Sequence, residues 1–549
     1  MHGRIKVFTS AEQEEIKKKE QAKKVVEYRT AINFIFHKRK EKVWNDELLV
    51  ATEKVLVRNS DIYTLWNIRR EVLLNNNWSK IKNEEQLDKE LMLTENCLRE
   101  NPKSYSVWHH RCWVIDHISE PNYRKELLLC TKCLNIDERN FHCWDYRNFI
   151  VQKAGVADNE EFEFSMTKIL NNFSNYSSWH YRSKILSKMF PDDTYKLPIE
   201  VNKHKEELDL VMQATFTDPN DTSAWFYQRW LLECCKFLTS KVWKAKLTKT
   251  EALVVFHDNV SIKSSNISLC IDGHVLDCQW KSVNNDKFSK LWSTTFDYPL
   301  NISDNSIILL KYGNDNYPFF LSNSSWICET EMPQKEKSNE IQLREQLLNY
   351  KQLSKMEPQN KWALLTGIFL MKNINVVEFR SSILCDIDLL LKVDKMRCDY
   401  YKDLRSKCLV NYYLYNVSQD KNENRCTYQA NISGLELTTL YKENYFSFLQ
   451  EINLDSNNLG NFLERLSSLV ECKKLSLSNN GVSSTENFPI LPKLEILTLR
   501  SNDISNIEDV LNLLRRNNLS ELDIRENPMS KSDVTQIENM ILSANVIIK

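Results

Sequence analysis

The sequence predicts a mainly α fold: an array of helical hairpins, interrupted by a β-sandwich and followed by leucine-rich repeats. Three observations carry this. A Trp-centred pattern recurs five times in the first half. Short alternating runs break it from about residue 242. A leucine and asparagine pattern closes the chain from about residue 420. The predicted division is 1–241 with 341–419 as the helical array, 242–340 as the β insert, and 420–549 as the leucine-rich repeats.

The array is read from Tyr63, Trp66 and Arg69, then Tyr105, Trp108 and Arg111, Phe141, Trp144 and Arg147, Tyr176, Trp179 and Arg182, and finally Thr222, Trp225 and Arg229. Successive Trp residues are 42, 36, 35 and 46 apart. That period marks stacked helical hairpins. Positions i, i+3 and i+6 or i+7 share one helix face. A repeated Trp fills the space between helix layers, and a repeated Arg bonds carboxylates or helix ends.

Other elements follow in chain order. Residues 10 to about 40 read as one helix, with Ser10 and Gln13 placed for a capping box. Asn101-Pro102, Glu120-Pro121 and Asp218-Pro219 mark boundaries, because the residue before Pro is pushed out of the helical region. A degenerate sixth unit centres on Trp362. In the insert, residues 252–256, 267–271 and 306–310 are β-prone, and Asp272-Gly273 supplies turn chemistry. At the end, Asn457, Asn480, Asn502 and Asn527 are 23, 22 and 25 apart, each after a leucine-rich strand. The insert and the repeats read as separable modules.

Composition narrows the class. Hydrophobic residues make up 42% of 549, enough for several cores, and the formal net charge of -1 gives no bulk reason to bind nucleic acid. No apolar run spans a membrane and the N-terminus lacks a signal-peptide stretch, so a cytoplasmic protein is expected. The fifteen Cys are expected to be reduced. Cys130 and Cys133 form a CxxC inside a helical run, with no second pair at ligand spacing. No Ser/His/Asp order, Gly-rich phosphate loop or HExxH is present.

Non-repeating polar residues within the array are the candidates for function. Lys103 precedes a repeat helix, where a cation beside free N–H groups suits a phosphate; the competing reading is an exposed Lys. His142 stands where other repeats have Thr64, Ser106, Ser177 or Ser223, against the reading of a stacked core His. His109, His110 and His180 read as packing or surface residues.

The stretches Asn101–Arg111 and Arg139–Arg147 resemble the alpha subunits of protein prenyltransferases. Asn172–Arg182, Asp218–Tyr227 and the opening Met1–Arg4 are similar to the Rab geranylgeranyltransferase (type II) branch, as are the immunoglobulin-like insert and the leucine-rich repeats. The resemblance implies a prenyltransferase alpha-type superhelix curved round a beta subunit that holds zinc. It implies transfer of geranylgeranyl from geranylgeranyl diphosphate to C-terminal cysteines of Rab GTPases presented by a Rab escort protein. Lys103 matches the alpha-subunit Lys that reaches the diphosphate, with a catalytic role. Tyr105 and His142 match residues lining the same substrate mouth. Phe141 departs from a Tyr seen in the farnesyl enzyme, which removes a hydroxyl donor there. His2 matches an N-terminus that can approach the zinc of the beta subunit, where a neutral imidazole adds a ligand. The alternative is a non-catalytic scaffold of helical and leucine-rich repeats, which gives no reason for Lys103, Tyr105 and His142 to share a rim.

Overall fold

A computed structural model describes residues 11–76, 80–192, 197–233, 241–262, 266–283, 286–322, 324–330, 340–419, 428–529 and 547–548. The chain divides into two compact units, Met1–Cys234 and Cys235–Lys549.

The first unit is helical: α1 (Ala11–Lys40), α2 (Asp46–Leu56), α3 (Tyr63–Asn75), α4 (Lys80–Glu100), α5 (Tyr105–His117), α6 (Tyr123–Ile136), α7 (Phe141–Ala154), α8 (Asp158–Asn171), α9 (Tyr176–Met189), α10 (Val201–Thr217) and α11 (Thr222–Glu233). Ser10, the expected cap of α1, lies outside the described residues. Each Trp-bearing helix packs on the helix before it, in the pairs α2–α3, α4–α5, α6–α7, α8–α9 and α10–α11, and the odd helices from α3 to α11 lie side by side.

Side chains repeat as strictly as the helices do. The indole N–H of Trp66, Trp108, Trp144, Trp179 and Trp225 donates to the carbonyl of Ser60, Pro102, Glu138, Phe173 and Pro219, each six residues earlier. This pins the turn leading into each odd helix. Between layers runs a buried ladder of carboxylates. Glu90, Glu126, Glu161 and Glu207 receive Arg69, Arg111, Arg147 and Arg182 from the preceding hairpin. The same four carboxylates meet His110, Tyr146, Tyr181 and Tyr227 of their own hairpin. Satisfying both groups at once is what lets such charges stay buried. His110 is fully buried on this ladder.

Among its described residues the second unit opens with ten strands: β1 (Val242–Leu247), β2 (Glu251–Val260), β3 (Ile267–Ile271), β4 (His274–Leu276), β5 (Lys281–Ser282), β6 (Ser289–Thr295), β7 (Ile308–Tyr312), β8 (Asp315–Pro318), β9 (Phe320–Ser322) and β10 (Ser325–Glu329). They form two antiparallel sheets, ordered β5-β6-β2-β1-β10-β9 and β4-β3-β7-β8. Val254, Phe256 and Trp292 of one sheet share a core with Leu269, Leu310 and Tyr317 of the other. Asp272 (φ 49°) and Gly273 (φ 85°) close the β3–β4 hairpin, the double positive-φ turn that matches strand twist.

Helices α12 (Glu340–Met356), α13 (Lys361–Asn375), α14 (Arg380–Val393) and α15 (Cys398–Gln419) come next. Asn360 caps α13 through the N–H groups of Trp362 and Ala363. Then a parallel sheet forms from β11 (Gln429–Asn431), β12 (Glu451–Asn453), β13 (Lys474–Ser476), β14 (Ile496–Thr498), β15 (Glu521–Asp523) and β16 (Ile547–Ile548), with α16 (Ile507–Arg516) between β14 and β15. The asparagines stitch its turns. The side-chain amides of Asn457, Asn480, Asn502 and Asn527 donate to the carbonyls of Ile432, Leu454, Leu477 and Leu499 in the coil before.

One expectation needs correcting. The β insert and the C-terminal sheet are not separate bodies. Trp243, Leu253, Val255 and Leu291 belong to the same apolar cluster as Leu437, Leu440, Phe446 and Ile452. Around it, Glu471 takes Lys246 at 2.6 Å and Lys493 at 2.5 Å, and Lys493 also meets Glu251 at 2.6 Å. Strand periodicity shows that one face of each sheet is buried. It does not show that part of the second face is buried too, against another module.

Candidate functional site

The turn from α4 into α5 starts with Asn101, whose side-chain oxygen accepts the Lys103 N–H at 3.3 Å. An Asx residue at this place recurs before the other four repeat Trp residues: Asn59, Asp137, Asn172 and Asp218 accept the N–H of Asp61, Arg139, Ser174 and Asn220. Each turn therefore presents the residue five before its Trp. In two successive repeats that residue is a cation, Lys103 and then Arg139. Arg139 is tied to the Ser174 carbonyl at 3.0 Å.

Lys103, Tyr105 and His142 come together at this edge. Tyr105 opens α5 and is 70% exposed, whereas His142, second residue of α7, is 7% exposed. Their rings meet edge to face with centroids 4.1 Å apart. Phe141 lies against both, at 3.9 Å from His142 and 6.0 Å from Tyr105. Burial lowers the His142 pKa from its ordinary value; Asp145 works against that and Lys103 with it. The charged form of the imidazole is thus disfavoured beside a cation. Ser104, the residue capping α5, makes no side-chain bond to the helix; its hydroxyl goes to Asp61 at 2.5 Å. The first-turn N–H groups of α5 keep no side-chain acceptor at their cap.

Sequence reasoning missed Asp137. Its carboxylate lies 3.1 Å from the Lys103 ammonium, and both side chains are partly exposed. Asp137 is one of the repeating Asx positions, one repeat on from Asn101, so the sequence shows its turn-forming role and not its contact with Lys103.

No three His, Cys, Asp or Glu side chains among the described residues are grouped to hold a metal ion. Cys130 and Cys133 lie in α6, and the Cys143 thiol donates to the Cys130 carbonyl at 3.5 Å. His2 lies outside the described residues.

The repeats match the family model for the protein prenyltransferase alpha subunit repeat at residues 87–118, 123–154, 158–189 and 204–235. Full-length relatives narrow this class. The chain is 33% identical to the geranylgeranyl transferase type-2 subunit alpha of Rattus norvegicus, over 98% of this chain and 97% of the relative. It is 34% identical to that of Homo sapiens, over 97% of each. The Saccharomyces cerevisiae protein of the same name is 32% identical over 48% of this chain and 83% of its own length. A solved chain of Candida albicans protein geranylgeranyltransferase-I complexed with GGPP is 16% identical with a TM-score of 0.42, covering 74% of this chain and 94% of that one, too slight a likeness to argue from. The chain belongs to the family of type-2 geranylgeranyl transferase alpha subunits. The scaffold alternative is not favoured. No described helix is long and apolar enough to cross a membrane.

Proposed function

We propose that this chain is the alpha half of a two-chain cytoplasmic enzyme. It moves geranylgeranyl from geranylgeranyl diphosphate to C-terminal cysteines of Rab GTPases, delivered by a Rab escort protein. The observation that supports this most is the gathering of Lys103, Tyr105 and His142 on one edge of the array. In this reading Lys103 stabilises charge on the departing diphosphate, where a preorganised cation acts most strongly. Tyr105 and Phe141 wall the mouth, and His142 donates or accepts one hydrogen bond without adding charge. Zinc lowers the pKa of the attacking thiol in such chemistry. It belongs in this reading to the beta subunit, with His2 as an added ligand.

The same reading takes residues 242–340 as an immunoglobulin-like insert, between the helical segments 1–241 and 341–419, and residues 420–549 as leucine-rich repeats. The paired antiparallel sheets and the asparagine-stitched parallel sheet support it.

Reconstitution tests the proposal. Co-expression with a prenyltransferase beta subunit should give a stable heterodimer that binds stoichiometric zinc and transfers geranylgeranyl to an escorted Rab protein. The chain alone should do neither. Transfer by the isolated chain, or failure of every type-2 beta subunit to associate, would overturn it.

A further inference from the structure

The second unit holds a cleft that the prenyl-transfer reading does not use. It lies between α15 and the first coil of the parallel sheet and measures about 150 Å³. Such a volume takes one small group rather than a whole cofactor. Leu409, Ile432 and Leu435 give it apolar walls, with Tyr412 and Tyr413 beside them. Arg380 also lines it; this is the first residue of α14, whose first turn holds no acidic residue. The Arg380 guanidinium carbon lies 4.2 Å from the Tyr412 ring centroid. Stacking of this kind fixes the plane of the fork and leaves its N–H edges to bond outward. Asn416, by a side-chain bond, and then Arg380 lower the Tyr412 pKa from its ordinary value, so this wall already favours negative charge.

A second donor lines the same cleft. Ser433 gives both its N–H, at 3.2 Å, and its hydroxyl, at 2.8 Å, to Asn431 Oδ1. A backbone N–H can only donate, so this contact fixes which end of the Asn431 amide is oxygen. The NH2 end has no acceptor among the described residues. No described carboxylate pairs with Arg380 either. Glu378, two residues before it, is held by Arg344 at 2.9 and 2.7 Å. Among the described residues lining the cleft none is acidic. We propose that the cleft binds a carboxylate borne on a short apolar group. The Arg380 fork and the Asn431 amide supply its donors, and Leu409, Ile432 and Leu435 receive the apolar stem. A planar guanidinium matches the two oxygens of a carboxylate. A phosphate carries about two negative charges near pH 7 and asks for a second cation, which the lining lacks. A purely apolar group leaves both donors unanswered. A free small acid and the C-terminus of a peptide present the same chemistry.

Saturation-transfer NMR on the full-length chain tests this, with isovalerate standing for a free acid and N-acetyl-leucine for a peptide C-terminus. Saturable binding with a Kd on the order of 1 mM is expected, the strength that ligands of this size reach. The corresponding amides should bind about tenfold more weakly, and so should both acids to Arg380→Gln, because a charge-assisted bond is lost. Arg380→Lys should recover part of the affinity, since an ammonium lacks the planar fork. Asn431→Asp keeps an acceptor for Ser433 and replaces the free donor with a like charge, so it should abolish binding. Lys103→Ala should leave binding unchanged, which separates this cleft from the prenyl-diphosphate rim. Tighter binding of N-acetyl-leucine than of isovalerate assigns the cleft to a peptide end, and the reverse assigns it to a free acid. Equal binding of acids and amides, binding that survives both Arg380→Gln and Asn431→Asp, displacement by inorganic phosphate more readily than by chloride at matched ionic strength, or no saturable binding overturns the proposal.

Discussion

The ammonium of Lys103 sits 3.1 Å from the carboxylate of Asp137, so the cation proposed to meet a diphosphate already has a partner from the next repeat. A partly exposed pair of this kind is weak, worth about 0.2–1 kcal/mol. It is strong enough to aim the side chain and weak enough to yield to a more highly charged ligand. Lys103→Ala should lower the single-turnover transfer rate by roughly ten- to a thousandfold, the effect typical of one lost preorganised contact. Diphosphate affinity should fall less than the rate. Lys103→Arg should recover part, because a planar fork places its charge differently. Asp137→Asn should tighten diphosphate binding by about two- to fivefold through release of the ammonium. Tyr105→Phe should be mild, since it removes one neutral hydrogen bond of about 1 kcal/mol and keeps the ring contact with His142. Rapid-quench single turnovers and equilibrium titration with a fluorescent isoprenoid diphosphate read both quantities.

Arg147→Ala strands Glu161, which otherwise holds that guanidinium at 2.6 Å in a site where both side chains are buried. Stability should fall by about 3–5 kcal/mol, because an uncompensated charge remains inside. Tyr181→Phe removes one bond to the same carboxylate and should cost about 1 kcal/mol. Urea unfolding followed by tryptophan fluorescence separates the two. Equal costs would mean that the ladder is packing rather than charge balance.

Acid should loosen the array in a particular window. Burial raises the Glu90 pKa, but Arg69 and His110 outweigh it and hold the carboxyl at about 2, below its ordinary 4.5. A group whose folded pKa is depressed contributes its stability above the unfolded pKa. That contribution is lost as pH falls from about 4.5 through about 2. Burial also lowers the His110 pKa, despite Glu90, so His110 starts to weigh against folding once pH drops below the ordinary imidazole range. Glu90→Gln should flatten the decline below pH 4.5 in a series of urea midpoints. An unchanged slope would remove Glu90 as its source.

Deleting residues 420–549 should produce an aggregating protein, because it uncovers Trp243, Leu253, Val255 and Leu291 on the β insert. Removing 242–330 together with 420–549 should give a better-behaved product than either deletion alone. Size-exclusion elution and dye binding compare the three. Glu471→Ala, which unpairs Lys246 and leaves Lys493 to Glu251 alone, should weaken the same contact without deleting anything.

Which parts were legible follows from geometry. Trp66 through Trp225 mark helices because a side chain that fills the same interlayer hole must recur at the same helical place. The glutamate ladder was half legible. His110, Tyr146, Tyr181 and Tyr227 each lie 20 residues after their Glu, since both belong to one hairpin with a fixed turn. The Arg partners lie 21, 15, 14 and 25 residues before theirs, because that bond crosses connections of unequal length. Lys103 and His142 were visible as departures from the repeat, whereas Tyr105 occupies a repeating aromatic position and was singled out only through the family resemblance. Asp137 was hidden because it obeys the repeat: its turn-forming role masks its second contact. The apolar contact between the insert and the C-terminal sheet left no period to read.

Because each buried glutamate is held from two hairpins, no hairpin of the first unit is complete in itself. Cut the array after α9 and Arg182 loses Glu207; begin it at α6 and Glu126 loses Arg111. Every internal boundary strands one charge. Folding should therefore propagate from hairpin to hairpin as a single cooperative event, unlike repeat arrays whose interfaces are purely apolar and whose ends can fray independently. Shortening the array by one unit would then carry a fixed electrostatic penalty wherever the cut is made, so natural variation in this unit should fall in the connections between hairpins rather than in the number of hairpins.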